Sequence, residues 1–423
     1  MNLYLKIGEK RVSLLRILAA GEYLRKRMNL MKVVKIEIAV VLAALLICPC
    51  PAQEGKTDPS KTGPKPMLVG LKGIVQKPGE KPVAMETGWA MFVKSGDLVH
   101  LSVAPDEDTP QENPVTDPKG PEQKKVFLFK QGHTLRWETT GGTVEKYSST
   151  NISYKLPPSP GTYKVSAMLM DESVFSLIEP EQAILEDRNI IGSFVFHFLV
   201  MYPFDREGAG VIESYPIGLY PNEEAEDVRE PVASHKAAYR PPKFFIKVTA
   251  ENALVPISRH FNLGDFSPEG EKGKEHFIAL DYSIVERLEQ ILTALREKGI
   301  KVNRLKILRG YLSPNEVERM RRKKINIAAF SRSLYGDSAT FIIDEDNDGI
   351  MDDLTGDGKL DASDLTLVSD VVKAIESQTR LYGGTGVYYH FQDLYHKDTP
   401  CIQVDTRGWH TSWGDTPDEK SPE

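Results

Sequence analysis

The stretch "SRSLYGDSATFIIDEDNDGIMDDLTGDGKLDASD" runs from Ser331 to Asp364. Its second part, Asp344 to Asp364, holds nine acidic residues against one lysine, a net charge of −8 when all are ionised. Charge at that density repels itself unless a cation neutralises it. The last twelve residues place Asp353, Thr355, Asp357, Asp361 and Asp364 at positions 1, 3, 5, 9 and 12. Gly358 stands at position 6, where the loop must turn sharply, and Lys359 at position 7 needs to offer only its backbone carbonyl. Leu360 at position 8 is an apolar tether. Oxygen-only ligands of flexible geometry favour calcium over zinc or magnesium. Just upstream, Asp344, Asp346, Asp348, Gly349, Ile350 and Asp352 repeat the first nine positions, but this loop ends in Thr355 and overlaps its neighbour. It reads as a weaker calcium loop or as extra shell for the stronger one. The alternative for the whole stretch is a solvated acidic loop.

Working outward, "DLTLVSDVVKAIES" after the loop reads as an exiting helix, and loop plus helix resemble one dockerin repeat. On the other side, "DYSIVERLEQILTALREKGI" puts Ile284, Leu288, Ile291, Leu292 and Leu295 on one helical face. Ser283 with Glu286 is the expected capping box, and Gly299 the stop. "KVNRLKIL" reads as a strand. "SPNEVERMRRKK" opens a helix with Ser313 as N-cap, Pro314 at the first position and Glu316 completing the box.

These elements belong to a longer series. "VTAENALVPISRHFNLGDF", "ILRGYLSPNEV", "SRSLYGDSAT", "YGGTGVYY" and "CIQVDTRG" follow one another between residues 241 and 414. In that order they resemble the landmarks of the zinc D-alanyl-D-alanine carboxypeptidases (peptidase family M-fifteen), which have the hedgehog/DD-peptidase fold. The third resembles that family's "SxHxxGxAxD", and the last its "FVHVDxRG". The resemblance implies zinc held by a His and an Asp of one motif and a His of the other, with an arginine aimed at the substrate carboxylate. Here those positions are Ser333, Thr340, Gln403 and Leu312. A catalytic zinc needs three protein ligands and an open position, and neutral Ser, Thr and Gln are poor ligands for it. The expectation is therefore a peptidase-like domain that binds calcium and does not catalyse. The alternative is a relocated zinc site drawing on His390, His396 and His410, with Asp398 and Cys401 nearby in sequence. No HExxH, GxSxG, phosphate-binding glycine loop or CxxC motif occurs.

The N-terminal half has a different texture. "WAMFVKSGDLVHLSVAP", "KKVFLFKQGHTLRWETTGGTVEKY", "ISYKLPPSPGTYKVSAMLM" and "IGSFVFHFLVMYP" alternate apolar and polar residues between Gly, Pro and Asp breaks, the signature of strands. They resemble a PKD or immunoglobulin-like sandwich over 67–205, with Trp137 and Tyr163 as core aromatics. A polar loop is expected at 105–123, and a Pro-rich acidic connector at 206–240. The expected fold class is thus multidomain: an all-β sandwich, then an α+β hedgehog/DD-peptidase-like domain over 241–415.

The apolar run "IEIAVVLAALLIC" (36–48) follows Lys32 and Lys35 and precedes small residues, as in a secretory signal peptide ending near Ala52. Met31 would supply an ordinary start for it. Residues 53–66 are polar and Pro-rich and read as a linker. Beyond Cys48 and Cys50 only Cys401 remains, so no disulfide is expected in the exported chain. The net charge of −7 argues against nucleic acid as a partner. The functional expectation is an exported envelope protein with no membrane span after processing, which binds peptidoglycan or another wall component through the peptidase-like cleft. An active metallopeptidase with moved ligands and a protein-interaction module are the alternatives.

Overall fold

The computed structural model describes residues 4–7, 10–13, 70–106, 133–148, 150–171, 190–379, 382–396 and 398–416. The apolar run 36–48, the linker 53–66, residues 107–123 of the polar loop and the tail beyond 416 lie outside the described residues. The chain divides into two compact units, Met1–Lys65 and Pro66–Glu423. In the first, strands β1 (Tyr4–Ile7) and β2 (Lys10–Ser13) form an antiparallel hairpin.

The second unit begins with two sheets. One has the order β5 (Ala90–Val93), β11 (Ile190–Val200), β10 (Gly161–Asp171), β7 (His133–Thr139). The other runs β4 (Val83–Met85), β3 (Leu71–Gln76), β6 (Leu98–Pro105), β9 (Asn151–Lys155), β8 (Thr143–Tyr147). The alternation read in the sequence is real. Val99, Leu101 and Val103 of β6 and Val165, Ala167 and Leu169 of β10 point into a shared core with Phe194, Phe196 and Phe198 of β11. Gly73 of β3 has no side chain because one would run into Phe194 and Phe196. Trp137 stacks on Phe196 at 6.4 Å, yet it and Tyr163 line the core half-buried, while Tyr154 is enclosed.

The chain then crosses short strands β12 (Tyr202–Pro203), β13 (Val211–Ile212) and β14 (Tyr215–Pro216). β12 pairs with β15 (Phe244–Val248), which pairs with β16 (His276–Ile278). A five-stranded sheet follows, in the order β17 (Lys306–Arg309), β18 (Ser338–Ile342), β20 (Thr399–Asp405), β19 (Gly384–Phe391), β21 (Thr411–Gly414). Only the β19–β21 pair is parallel. Helices α1 (Tyr282–Glu297) and α3 (Ala362–Thr379) share one apolar core with the back of this sheet, where Ala339, Phe341, Ile402 and Val404 meet Leu288, Ile291, Val368 and Val372. A third helix, α2 (Pro314–Arg322), follows β17. The sandwich leans on this part directly: Phe92 meets Tyr282 edge to face at 6.0 Å, and Asn252 Nδ2 donates to Thr162 Oγ1 at 2.9 Å.

Local signals fared well with two exceptions. Ser313, Pro314 and Glu316 form the expected capping box of α2. The cap of α1, however, is Asp281, whose carboxylate accepts from Ser283 N–H at 2.9 Å. Ser283 is already inside the first turn, and its hydroxyl meets Thr406 Oγ1 instead. β17 starts at Lys306 and not Lys301, because the Arg296 guanidinium holds the carbonyls of Val302 and Asn303 out of any ladder. Among the described residues, no helix is long and apolar enough to cross a membrane.

Candidate functional site

The front of the five-stranded sheet, opposite the helices, carries the positions singled out from the peptidase-like motifs. Thr340 of β18 lies directly across from Gln403 of β20. Cross-strand partners share a face, so the row continues outward through Arg309 of β17 on one side, and through Gly386 of β19 and Trp413 of β21 on the other. Ser333 sits in a short 3₁₀ turn ahead of β18, its hydroxyl 3.2 Å from that of Ser338, two residues before Thr340 on the same face. The Leu312 N–H donates to the Ser333 carbonyl at 3.0 Å. All four degenerate positions, Leu312, Ser333, Thr340 and Gln403, therefore gather in one buried patch.

Apart from Arg309 at the β17 end of the row, the patch is lined by neutral groups. Trp413 Nε1 donates to Tyr388 Oη at 2.9 Å, and both Tyr388 Oη and Trp413 Nε1 reach Gln403 Oε1 at 3.3 Å. The Trp413 ring lies flat enough on the sheet that a side chain at Gly384 or Gly386 would collide with it. That contact is the physical reason for two of the three glycines of "YGGTG"; at the other, Gly383, a side chain would run into the Asp405 carbonyl and Arg287. Leu312 is part of a satellite core with Val317, Met320, Leu334 and Tyr335. Residues of the expected connector complete that core: Val232 and Tyr239 pack into it, and Tyr220 Oη bonds the Tyr311 hydroxyl and the Leu334 carbonyl. The segment 206–240 is thus a strap across this side of the domain, folded on itself by an Arg206–Glu223 pair.

Beside the patch lies a network of charge. Arg332 forms an ion pair with Asp337, donates to the Ala238 carbonyl at 2.6 Å, and sits between the rings of Tyr239 and Tyr335. Asp405 accepts from Gly384 N–H at 2.8 Å and from Arg407, whose guanidinium lies over Trp413. These groups are saturated with one another, so they scaffold the face.

The histidines proposed as substitute zinc ligands are dispersed. His390 binds Asp398, His396 Nδ1 meets Asp393 Oδ1 at 3.0 Å, and His410 Nδ1 meets Glu376 Oε2 at 2.9 Å. Cys401 is fully enclosed, and burial pushes its thiol well up, away from the thiolate that metals take. Among the described residues, the one set of three His, Cys, Asp or Glu ligand atoms lying within 4.8 Å of each other is Asp344, Asp346 and Asp348.

That trio opens the first acidic loop, and the two loops share one construction. Gly349 N–H donates to Asp344 Oδ2 at 3.1 Å, and Gly358 N–H to Asp353 Oδ2 at 2.6 Å, each linking position 6 to position 1. Ile350 N–H donates to Asp348 Oδ1 and Lys359 N–H to Asp357 Oδ1, each linking position 7 to position 5. Both glycines at position 6 have positive φ, 91° and 85°, as their places in the pattern require. The loops differ at their acids. In the second, Asp364 is buried and caps the loop, accepting from Leu354, Thr355 and Asp361 N–H groups. Asp361 accepts from Ser363. In the first, Asp344 pairs with Lys306 through Oδ2, while its buried Oδ1 has no hydrogen-bond partner. An orphaned buried carboxylate oxygen beside two further acids fits a hard cation, which Asp344, Asp346 and Asp348 would hold. Burial pushes the Asp344 carboxyl up, but Lys306 and the loop amides hold it below its usual range, so the oxygen is anionic.

Sequence reasoning passed over Arg309, Tyr388 and Trp413. Each lies inside or beside a quoted motif, but only the strand register places them in one row. No family model matches the chain, and no curated protein matches it at a significant level.

Proposed function

We propose that this is an exported bacterial envelope protein whose C-terminal half is a non-catalytic relative of the zinc D-alanyl-D-alanine carboxypeptidases, carried behind a PKD or immunoglobulin-like sandwich. It binds a peptidoglycan peptide or another wall component without cleaving it. The observation that carries this reading is the pairing of Thr340 with Gln403, with Ser333 above them. Positions where the resemblance expects a metal converge on one face of one sheet, yet hold only neutral oxygen and amide groups. Such a patch can position a ligand through hydrogen bonds but cannot polarise a peptide carbonyl as a Lewis acid.

Calcium is the metal of this proposal, serving structure and not chemistry. It would tie the exit of β18 to the start of α3 through the two acidic loops. The segment ending near Ala52 directs export.

The test is co-sedimentation of the purified protein with insoluble peptidoglycan, alongside incubation of muropeptides with protein and zinc. Saturable sedimentation with unchanged muropeptides is expected. Zinc-dependent hydrolysis, or an absence of sedimentation, overturns the reading.

A further inference from the structure

We infer that the groove between α2 and the strap at 206–240 docks a partner protein, through a segment of that partner which joins acidic to large aliphatic residues. The groove encloses about 470 Å³. One wall is α2, where Pro314, Val317, Glu318 and Arg321 recur at the spacing of a single helical face. From the first of these to the last the helix rises about 10 Å, the reach of about three residues of extended chain. The facing wall is the strap, which offers Val211, Pro216 and Leu219. Two glycines let that wall come close. Gly210 and Gly218 have positive φ, 68° and 98°, and a side chain at Gly218 would strike Asn315, while one at Gly210 would strike the Gly218 carbonyl. Asn315 then fixes the wall: its Nδ2 donates to the Pro216 carbonyl at 3.0 Å and its N–H to the Ile217 carbonyl at 3.2 Å. A groove held in shape before binding spares its ligand the cost of ordering it.

The lining is apolar and open to solvent. Leu219 is 71% exposed and Val211 43%, and both stand in the groove beside Pro216, Pro221 and Pro314. Clustered apolar exposure of this kind marks an interaction site. The charge is equally one-sided. Residues 319–324, "RMRRKK", put five cations into six positions of a chain whose net charge is −7. A helix dipole favours cations in the last turn, and Arg319 and Arg322 are offset by Glu316 and Glu318. Arg321, Lys323 and Lys324 form no ion pair among the described residues, and Arg321 lies in the groove itself. The one acid in the groove, Glu318, is taken by Arg322 at 2.8 Å, and Asn315 is spent on the strap. An apolar floor beside unmatched positive charge selects a segment that is acidic and aliphatic together. An anionic bilayer has the matching charge, but a flat surface does not reach a floor set between two walls. The groove shares no residue with the Thr340–Gln403 row, so the inference does not rest on the reading of that face.

The experiment is fluorescence anisotropy of labelled peptides, blocked at both ends, titrated with the full chain: LDELDEL, its uncharged form LNQLNQL and its form without aliphatic residues, SDESDES. Blocked ends leave only side-chain carboxylates to be recognised. LDELDEL is expected to bind saturably and more weakly as salt rises, because exposed charges are screened, and the other two to bind severalfold less tightly. Arg321→Glu should cost about fivefold or more in affinity and Leu219→Ser about tenfold. Both side chains are exposed, so the variants should melt as the parent does. No binding of LDELDEL, equal binding of its uncharged form, or full binding by both variants overturns the proposal. Retention on phosphatidylglycerol vesicles that Arg321→Glu abolishes, without peptide binding, would assign the groove to a lipid surface and overturn it as well. Self-association lost in Arg321→Glu, again without peptide binding, would do the same in favour of a second copy of the chain.

Discussion

Thr340 and Gln403 face each other across β18 and β20, the first with an orphaned hydroxyl and the second with its carbonyl oxygen held by Tyr388 and Trp413. Two motifs 63 positions apart, by subtraction of those residue numbers, thus make a single buried patch. If the patch is a metal site emptied by substitution, refilling it should work. Ser333→His, Thr340→Asp and Gln403→His together are expected to yield one bound zinc per chain by elemental analysis, against none for the parent. Failure of the folded triple variant to take up zinc would mean the ligand vectors do not converge.

Calcium should stabilise the fold. A ligand that binds only the native state adds about 2.7 kcal/mol at a hundredfold excess over its dissociation constant, and extracellular loops of this kind bind at about 10⁻⁴ to 10⁻³ M. Melting curves with millimolar calcium and with chelator should separate accordingly. Because Asp344 carries the orphaned buried oxygen, Asp344→Asn is expected to abolish the shift, and Asp357→Ala to reduce it. An undiminished shift in Asp344→Asn would move the ion to the second loop.

The same shift has a predictable pH window. Burial pushes Asp344 up and the Lys306 ammonium outweighs it, while backbone and hydroxyl donors lower Asp353 and Asp361. Carboxyls held below their ordinary value lend stability that is complete above the unfolded value, about 4, and is lost as pH falls through the folded one. Calcium stabilisation should therefore persist down to about pH 4 and collapse below it. Loss already at pH 6 would implicate histidines instead.

Cys401 is sealed in the core with its thiol protonated. A thiol-specific reagent should leave it untouched in the native protein and modify it at the rate of global opening. Fast labelling under native conditions would place β20 at an accessible edge.

Gly386 lies under the Trp413 ring. Gly386→Ala is expected to cost about 1–3 kcal/mol, as overpacking does, and to red-shift tryptophan fluorescence as the indole is lifted into solvent. A neutral substitution would mean that the β21 strand can swing away freely.

The sequence by itself determined what depends on neighbours along the chain. The capping box at Ser313, the apolar face of α1, the alternation in β6 and β10, and the glycines at position 6 of both acidic loops are all set by contacts within about a dozen residues, and each is where the pattern placed it. Even the missed cap at Asp281 was a local contest between two oxygen acceptors two residues apart. Only the tertiary structure decided what depends on strand register. It aligned Arg309, Thr340, Gln403, Gly386 and Trp413 in one row, buried Leu312 under the strap at 206–240, and held His390, His396 and His410 on separate carboxylates. It also gave the orphaned oxygen to Asp344 and turned Asp364 inward as a cap. No spacing rule reports the row, because a ladder shifted by one residue would send each of its side chains to the opposite face, and none reports the other contacts, because they join residues far apart in the chain.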